Sequence, residues 1–193
     1  MSLSEDFAAF MAGTPAVRFG DFTLRSGMKT PVFFNFGDLC SGAHLAAMGS
    51  FFARGIVENG LTEADVLYGP AYKGIVIAAA TSQALWRDHR VDIPIAYNRK
   101  ETKQHGEGGD IIGADLAGKS VLMLDDVIAD GSTKHETAAK LQALGARVAA
   151  VVIGIDRQDV MDSKRTALEI FRAATSIPVV ALTTGAAILK RRG

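Results

Sequence analysis

The sequence predicts one α/β domain, a parallel sheet flanked by helices with a small N-terminal flank. Three observations predict it. Short apolar runs alternate with helical patterns along most of the chain, as strand–crossover–strand units require. Two of those runs, VLML at 121–124 and VAAVVIGI at 148–155, are apolar almost throughout, the pattern of strands buried on both faces. The length, 193 residues with 48% hydrophobic content, suffices for one sizeable core and is short for two.

Charge and cysteine usage narrow the function classes. Basic and acidic residues balance, 21 against 21, which leaves no electrostatic footprint for nucleic acid or an anionic membrane surface. Cys40 is the single cysteine, so neither an intrachain disulfide nor a cysteine-based zinc site can form. The opening MSLSEDFAAFMAG lacks the basic start and long apolar core of a signal peptide, and no apolar run approaches membrane-spanning length. The expectation is a cytoplasmic protein without membrane contact.

In chain order, residues 4–11 read as a short amphipathic helix with Phe7, Phe10 and Met11 on one side. Residues 19–24 and 32–36 read as extended segments around a turn-rich SGMKTP loop. Alternation sends Phe33 and Phe34 to opposite faces, either as a strand packed on both sides or as an aromatic wall for a flat ligand. A helix over 44–59 carries Leu45, Met48, Phe52 and Ile56 in register. The strand at 65–68 is followed by the loop GPAYKG and an apolar helix over 75–89. Lys73 therefore stands at a strand-to-helix junction between glycines, either solvated or in contact with a diphosphate. The strand at 93–97 runs into NRKETKQHGEGGD, which has no apolar periodicity: a glycine-hinged loop over a site, or a solvated hairpin. Strands at 147–155 and 178–182 and helices at 163–174 and 184–190 complete the alternation. Arg157 follows its strand directly, free to meet a ligand carboxylate or to pair with Asp156 or Asp159.

The stretch KSVLMLDDVIADGSTKHETAAKLQAL carries the most chemistry. An apolar strand leads into Asp125 and Asp126, then a glycine turn with hydroxyls, then a helix with Ala138, Leu141 and Leu144 on one face. Strand, acidic pair and helix N-terminus in that order suit a ligand with both hydroxyls and a phosphate, and a sugar phosphate has both. The alternative is an ordinary helix cap at Ser132 or Thr133. Adjacent carboxylates after an apolar strand weigh against that, because desolvated like charges repel unless something compensates.

VLMLDDVIADGST resembles the ribose-phosphate binding motif of type I phosphoribosyltransferases. FTLRSGMKTPVFFN, LYGPAYKGI, NRKETKQHGEGGD and GIDRQ resemble the orotate branch of that family, and the likeness spans roughly residues 18–158. It implies a type I phosphoribosyltransferase-like fold, one domain over 1–193 in which about 1–40 form a base-binding hood. It implies a glycosyltransferase that transfers phosphoribosyl from 5-phosphoribosyl 1-diphosphate to orotate, giving orotidine 5′-monophosphate and diphosphate for UMP biosynthesis. By the same resemblance Lys103, His105, Lys73, Asp125 and Asp126 are the catalytic group. Arg25, Tyr72, Arg99, Lys100 and the run Val127, Ile128, Ala129, Asp130, Gly131, Ser132 and Thr133 bind phosphoribosyl diphosphate with them. Phe33, Phe34, Ala129 and Arg157 address orotate. Magnesium is carried mainly by the diphosphate and ribose hydroxyls, with no direct protein ligand assigned. A homodimer is implied, the 99–110 loop reaching across to the partner's site.

Arg25 stands where family members commonly have lysine, Ala129 where they have threonine, and Asp130 is unusual in a phosphate loop. A longer C-terminal helical region of some relatives is also expected to be missing. Two other readings stay open. A purine-base transferase is disfavoured by Ala129, where the 6-oxopurine branch commonly has Asp. A non-catalytic sensor is disfavoured because Lys103, His105 and Glu107 are all kept.

Overall fold

The computed structural model describes residues 2–23, 27, 29–99, 110–129, 131–161 and 164–191. The chain opens with α1 (Leu3–Ala12), begun by a capping box in which Ser2 Oγ accepts from Glu5 N at 3.3 Å and Glu5 accepts from Ser2 N at 3.0 Å. Two antiparallel strands, β1 (Val17–Thr23) and β2 (Lys29–Phe34), form a separate hairpin, followed by a 3₁₀ turn at Phe36–Asp38. Ser41 caps α2 (Gly42–Glu58), its hydroxyl accepting from His44 N at 3.2 Å.

The main sheet contains β3 (Val66–Tyr68), β4 (Ile95–Asn98), β5 (Ile111–Gly113), β6 (Ser120–Ile128), β7 (Arg147–Asp156) and β8 (Val179–Thr184). Their order is β5-β4-β3-β6-β7-β8, and every neighbouring pair is parallel except β4 with β5. The crossovers are α3 (Lys73–Ala84), which continues into a π-helical turn at Leu85–His89, α4 (Ser132–Ala143) and α5 (Ala167–Thr175), and α6 (Gly185–Leu189) follows β8. The expected alternation is present. The antiparallel β5 is an addition: three half-exposed or exposed residues ending in a glycine carry no periodic signal.

Strand alternation builds the core on two sides of the sheet. Leu122 and Leu124 of β6 face α1, α2, α3 and α6, where Phe7, Met48, Phe52, Ile77 and Ile188 are buried. Val121 and Met123 face α4 and α5, where Leu141 and Phe171 are buried. Leu144, expected on the buried face of α4, is 47% exposed because the helix stops at Ala143 and the chain turns away. The N-terminal segment joins the first of these cores through Phe7, Met11, Val32, Phe34 and Phe36. Polar ties reinforce it: Thr183 Oγ1 donates to Ser4 O at 3.0 Å, and Arg54 of α2 pairs with Asp6 of α1 at 2.8 Å.

Between β3 and β6 the strand order reverses. From β3 the chain proceeds outward to β4 and β5, and from β6 it proceeds the other way to β7 and β8. Open α/β sheets bind ligands in the crevice at the carboxyl ends of the two strands flanking such a reversal.

If the hood and the sheet form one cooperative unit, Phe7→Ala should cost about 3–5 kcal/mol, as removing a buried ring does. Urea unfolding followed by Trp86 fluorescence and by circular dichroism should then give one coincident, shifted transition. Two separated transitions would mean that the flank folds apart from the sheet.

Candidate active site

Asp125 and Asp126 lie within β6, which continues through them to Ile128, rather than after its end. They are 8% and 7% exposed. Each carboxylate accepts the backbone N–H of the next residue, Asp125 Oδ1 from Asp126 N at 2.9 Å and Asp126 Oδ1 from Val127 N at 2.8 Å. Alternation sends the two side chains to opposite faces of the sheet, and each meets a lysine from the helix on its own side. Lys134 of α4 lies 2.5 Å from Asp125 Oδ2, and Lys73 of α3 pairs with Asp126. The Lys134 ammonium also donates to Val127 O at 2.7 Å. Burial pushes the Asp125 carboxyl above the ordinary range; the Lys134 charge opposes that rise and the Asp126 charge adds to it.

Both lysines sit in the first turn of their helices, where the helix dipole disfavours a cation. A local rule broken twice at one sheet edge marks a site rather than a packing solution. Capping separates the same two helices from the rest. Side-chain acceptors cap α1, α2, α5 and α6 through Ser2, Ser41, Thr166 and Thr184, whereas α3 begins at Tyr72 and α4 at Gly131 with no side-chain cap. Gly131 holds φ +82°, the left-handed region a glycine adopts without strain. Two helix N-termini whose N-cap residues supply no side-chain acceptor thus flank the crevice on either side of the acidic pair, a setting for anions.

The loop that presents Lys73 is tight. A Cβ on Gly69 would overlap the Gly74 carbonyl, and one on Gly74 would overlap the Pro70 ring. The two glycines therefore serve the loop's own closure, a more specific role than leaving room for a ligand. The Ala71–Tyr72 peptide bond is cis. Asn98, at the end of β4, steadies the loop: its Oδ1 accepts from Ala71 N at 3.0 Å and from the Tyr68 hydroxyl at 3.1 Å. Burial pushes the Tyr68 phenol up to about 12. Arg99 follows, its N–H donating to Asp110 O at 2.7 Å, so the hairpin β4–β5 is the stem from which residues 100–109 leave and to which they return. That stem stands at the same sheet edge as Lys73 and Asp126.

At the carboxyl end of β7, Arg157 is almost buried, with a side-chain exposure of 7%; its Nε donates to Asp159 Oδ2 at 2.7 Å, and its guanidinium lies 5.7 Å from the Phe34 ring. Of the pairings left open for Arg157, the one with Asp159 is formed. Phe34 is buried beneath it, while Phe33 is 37% exposed and packs on Phe22 with ring centroids 5.6 Å apart. The two rings occupy opposite faces of the hairpin, so they do not form one continuous aromatic wall. Ala129, Ser132 and Thr133 are exposed, Val127 is partly buried and Ile128 is buried in the core under α4. Arg25, Lys100, Lys103, His105 and Asp130 lie outside the described residues.

Residues 43–184 match the phosphoribosyl transferase domain family. The orotate phosphoribosyltransferase of Methylococcus capsulatus is 46% identical over 178 residues, 92% of this chain and 83% of that protein. The one from Nitrosococcus oceani is 45% identical over 181 residues, 94% of this chain and 82% of that protein. This chain belongs to the orotate phosphoribosyltransferase family. The crystal structure of the Francisella tularensis orotate phosphoribosyltransferase superposes with a TM-score of 0.84 at 36% identity, covering 99% of this chain and 88% of that one. The mostly parallel sheet with helices on both faces is that of the type I phosphoribosyltransferases, as the sequence predicts.

Lys134, which pairs with Asp125, and Asn98, which steadies the loop presenting Lys73, escape the sequence reading. A lysine on a helix or an asparagine at a strand end is ordinarily solvated, and only the partner reveals the role. One signal was available for Lys134: a cation in the first turn of a helix, next to the acidic pair.

Tyr68 gives a spectroscopic check on this corner. A phenol raised from about 10 to about 12 keeps its proton longer when folded, so its contribution to stability holds below the unfolded value and is lost as pH rises through the folded one. Tyr68→Phe should remove the last, most alkaline step of phenolate absorbance and lessen the alkaline loss of stability. Asn98→Ala, which leaves the phenol and the Ala71 N–H without their acceptor, should cost about 1–3 kcal/mol. A phenolate titration unchanged by Tyr68→Phe would contradict the burial of that hydroxyl.

Proposed function

We propose that the crevice between β3 and β6 transfers phosphoribosyl from 5-phosphoribosyl 1-diphosphate to orotate, producing orotidine 5′-monophosphate and diphosphate in pyrimidine biosynthesis. One observation carries this reading. A lysine-neutralised acidic pair lies between two helix N-termini without side-chain caps, an arrangement suited to a ligand with sugar hydroxyls at its centre and phosphates at both ends. Family membership supports orotate as the base.

In the reaction the C1–diphosphate bond breaks while positive charge develops on the ribose ring, and an orotate nitrogen takes the leaving group's place. Asp125 and Asp126 accept the ribose hydroxyls. Backbone groups of residues 127–133, with the Ser132 and Thr133 hydroxyls, hold the 5′-phosphate at the start of α4. Lys73, Tyr72 and the α3 N-terminus take the departing diphosphate, joined by Arg25, Arg99, Lys100, Lys103 and His105. Closure of the loop over 99–110 excludes water, which would otherwise waste the donor. Phe34 and Ala129 lie on the base side with Arg157, which Asp159 holds to meet an orotate oxygen, whereas Phe33 faces away from them.

Magnesium fits this site as an ion carried by the substrate. Both carboxylates already take a lysine ammonium, and among the described residues no three Asp, Glu, His or Cys side chains converge. Carried by the substrate, it would supply positive charge against the leaving group, beside the Lys73 ammonium. The reading also places residues 1–40 as a hood within a single domain, the enzyme in the cytoplasm and two chains in a dimer that share their sites. Exposed Tyr72 and Val76, one turn apart on α3, and exposed Trp86 beyond them support a chain-to-chain contact beside Lys73. Among the described residues no helix is long and apolar enough to cross a membrane.

Turnover with phosphoribosyl diphosphate and each of orotate, uracil, adenine and hypoxanthine should be confined to orotate; no reaction with orotate would overturn the proposal. Lys103→Ala should lower kcat by about 10²–10³-fold, as loss of a transition-state donor does, with unfolding unchanged; near-normal kcat would remove Lys103 from the mechanism. Mixing Arg25→Ala chains with Lys103→Ala chains should restore part of the activity if sites are shared, and no recovery would contradict sharing.

A further inference from the structure

Lys134 has no part in the chemistry above, yet it is only 8% exposed, and lysine is among the residue types least often buried. Its ammonium makes two short contacts, 2.5 Å to Asp125 Oδ2 and 2.7 Å to Val127 O. Both partners lie among the last residues of β6, before the phosphate loop, while Lys134 itself belongs to the first turn of the helix after that loop. One cation therefore clamps the two ends of the loop together from beneath.

We propose that Lys134 is a positioning residue for phosphoribosyl diphosphate: it is the fixed counter-cation that orients Asp125 toward the ribose and locks the end of β6 to the phosphate-binding turn. The proposal rests on the reading of Asp125 as an acceptor for ribose hydroxyls. A carboxylate accepts at both oxygens only when ionised. Asp125 is buried beside a second carboxylate, and both conditions favour its protonated form. Asp126 has its own cation, Lys73, on the other face of the sheet. Among the described residues, the remaining surroundings of Asp125 offer no substitute. Opposite it on β7 is Ile153. Asp156, further along β7, accepts from Gln158 N and lies near Arg172 and Glu169 of α5. His135, next on α4, packs against Phe171 of α5 at 4.8 Å between ring centroids. Among the described residues, Lys134 is the cation paired with Asp125, and its dipole-opposed position in the first turn is explained by that task.

The test compares Lys134→Met with wild type in the full-length protein, with Lys134→Gln as a second variant that keeps a donor for Val127 O without the charge. The readouts are KM for each substrate, the pH profile of kcat/KM for phosphoribosyl diphosphate, and calorimetric affinity for phosphoribosyl diphosphate alone. In both variants KM and Kd for phosphoribosyl diphosphate should rise about tenfold or more, the scale of losing one charged hydrogen bond, while KM for orotate changes less than about twofold. The acid limb of the profile should move to higher pH, because Asp125 without its cation takes up a proton sooner; Lys134→Arg should keep the limb in place. A folded Lys134→Met or Lys134→Gln protein with wild-type affinity and an unmoved acid limb, even if less stable, would overturn the proposal and leave Lys134 a structural residue. Should wild type fail to use orotate, the reaction assigned above fails, and the calorimetric series against pH still decides the role of Lys134.

Discussion

Two adjacent carboxylates at the dry end of the central strand must be neutralised, and much of the molecule's layout follows from that constraint. A single cation could not serve both, because successive side chains of β6 leave the sheet on opposite faces. The chain answers with one lysine from each helical layer, Lys73 above and Lys134 below. The two pairs differ in setting. Lys134 is buried and held at two points, whereas the Lys73 side chain is 48% exposed at the mouth of the crevice. In the proposed site, the half-exposed Lys73 is the partner that an incoming diphosphate would draw away, whereas the buried Lys134 pair would be fixed before substrate arrives.

The topology turns this local solution into a site. The reversal of strand order between β3 and β6 opens a crevice, and the two helices that begin there are the ones without side-chain caps. Elsewhere Ser2, Ser41, Thr166 and Thr184 satisfy their helices internally. Beginning α3 at Tyr72 forgoes about 1 kcal/mol and beginning α4 at Gly131 only a few tenths of that, and both termini suit anionic ligands. The N-terminal hairpin brings Phe34 under Arg157, whose guanidinium Asp159 holds, and in the proposed function this is the base side. The proposed phosphate, ribose and base positions thus derive from different elements that share one sheet edge.

The sequence revealed most where it broke ordinary patterning. An apolar strand running into Asp125-Asp126 and a glycine turn is costly without a ligand or counter-ions, so it stood out. The strands and helices were legible because their apolar runs are long and their periods distinct. β5 was not, since three residues ending in glycine have no period, and Leu144 misled because its spacing fits a helix that has already ended. Lys134 and Asn98 were hidden for another reason: each is a common surface residue type whose meaning lies in a partner on another element. Phe33 and Phe34 show the limit of alternation, which separated their faces correctly without saying which ring would be covered by Arg157.

If the crevice binds phosphoribosyl diphosphate as proposed, Lys73 and Asp126 act as one unit across the switch point, exchanging their mutual contact for contacts to that ligand. A double-mutant cycle on the calorimetric Kd of that ligand, using Lys73→Met, Asp126→Asn and the double variant, tests it most directly. The account predicts that each single change weakens binding and that the double variant is little worse than the weaker single one, a coupling of about 1 kcal/mol or more. Losses that simply add would contradict it.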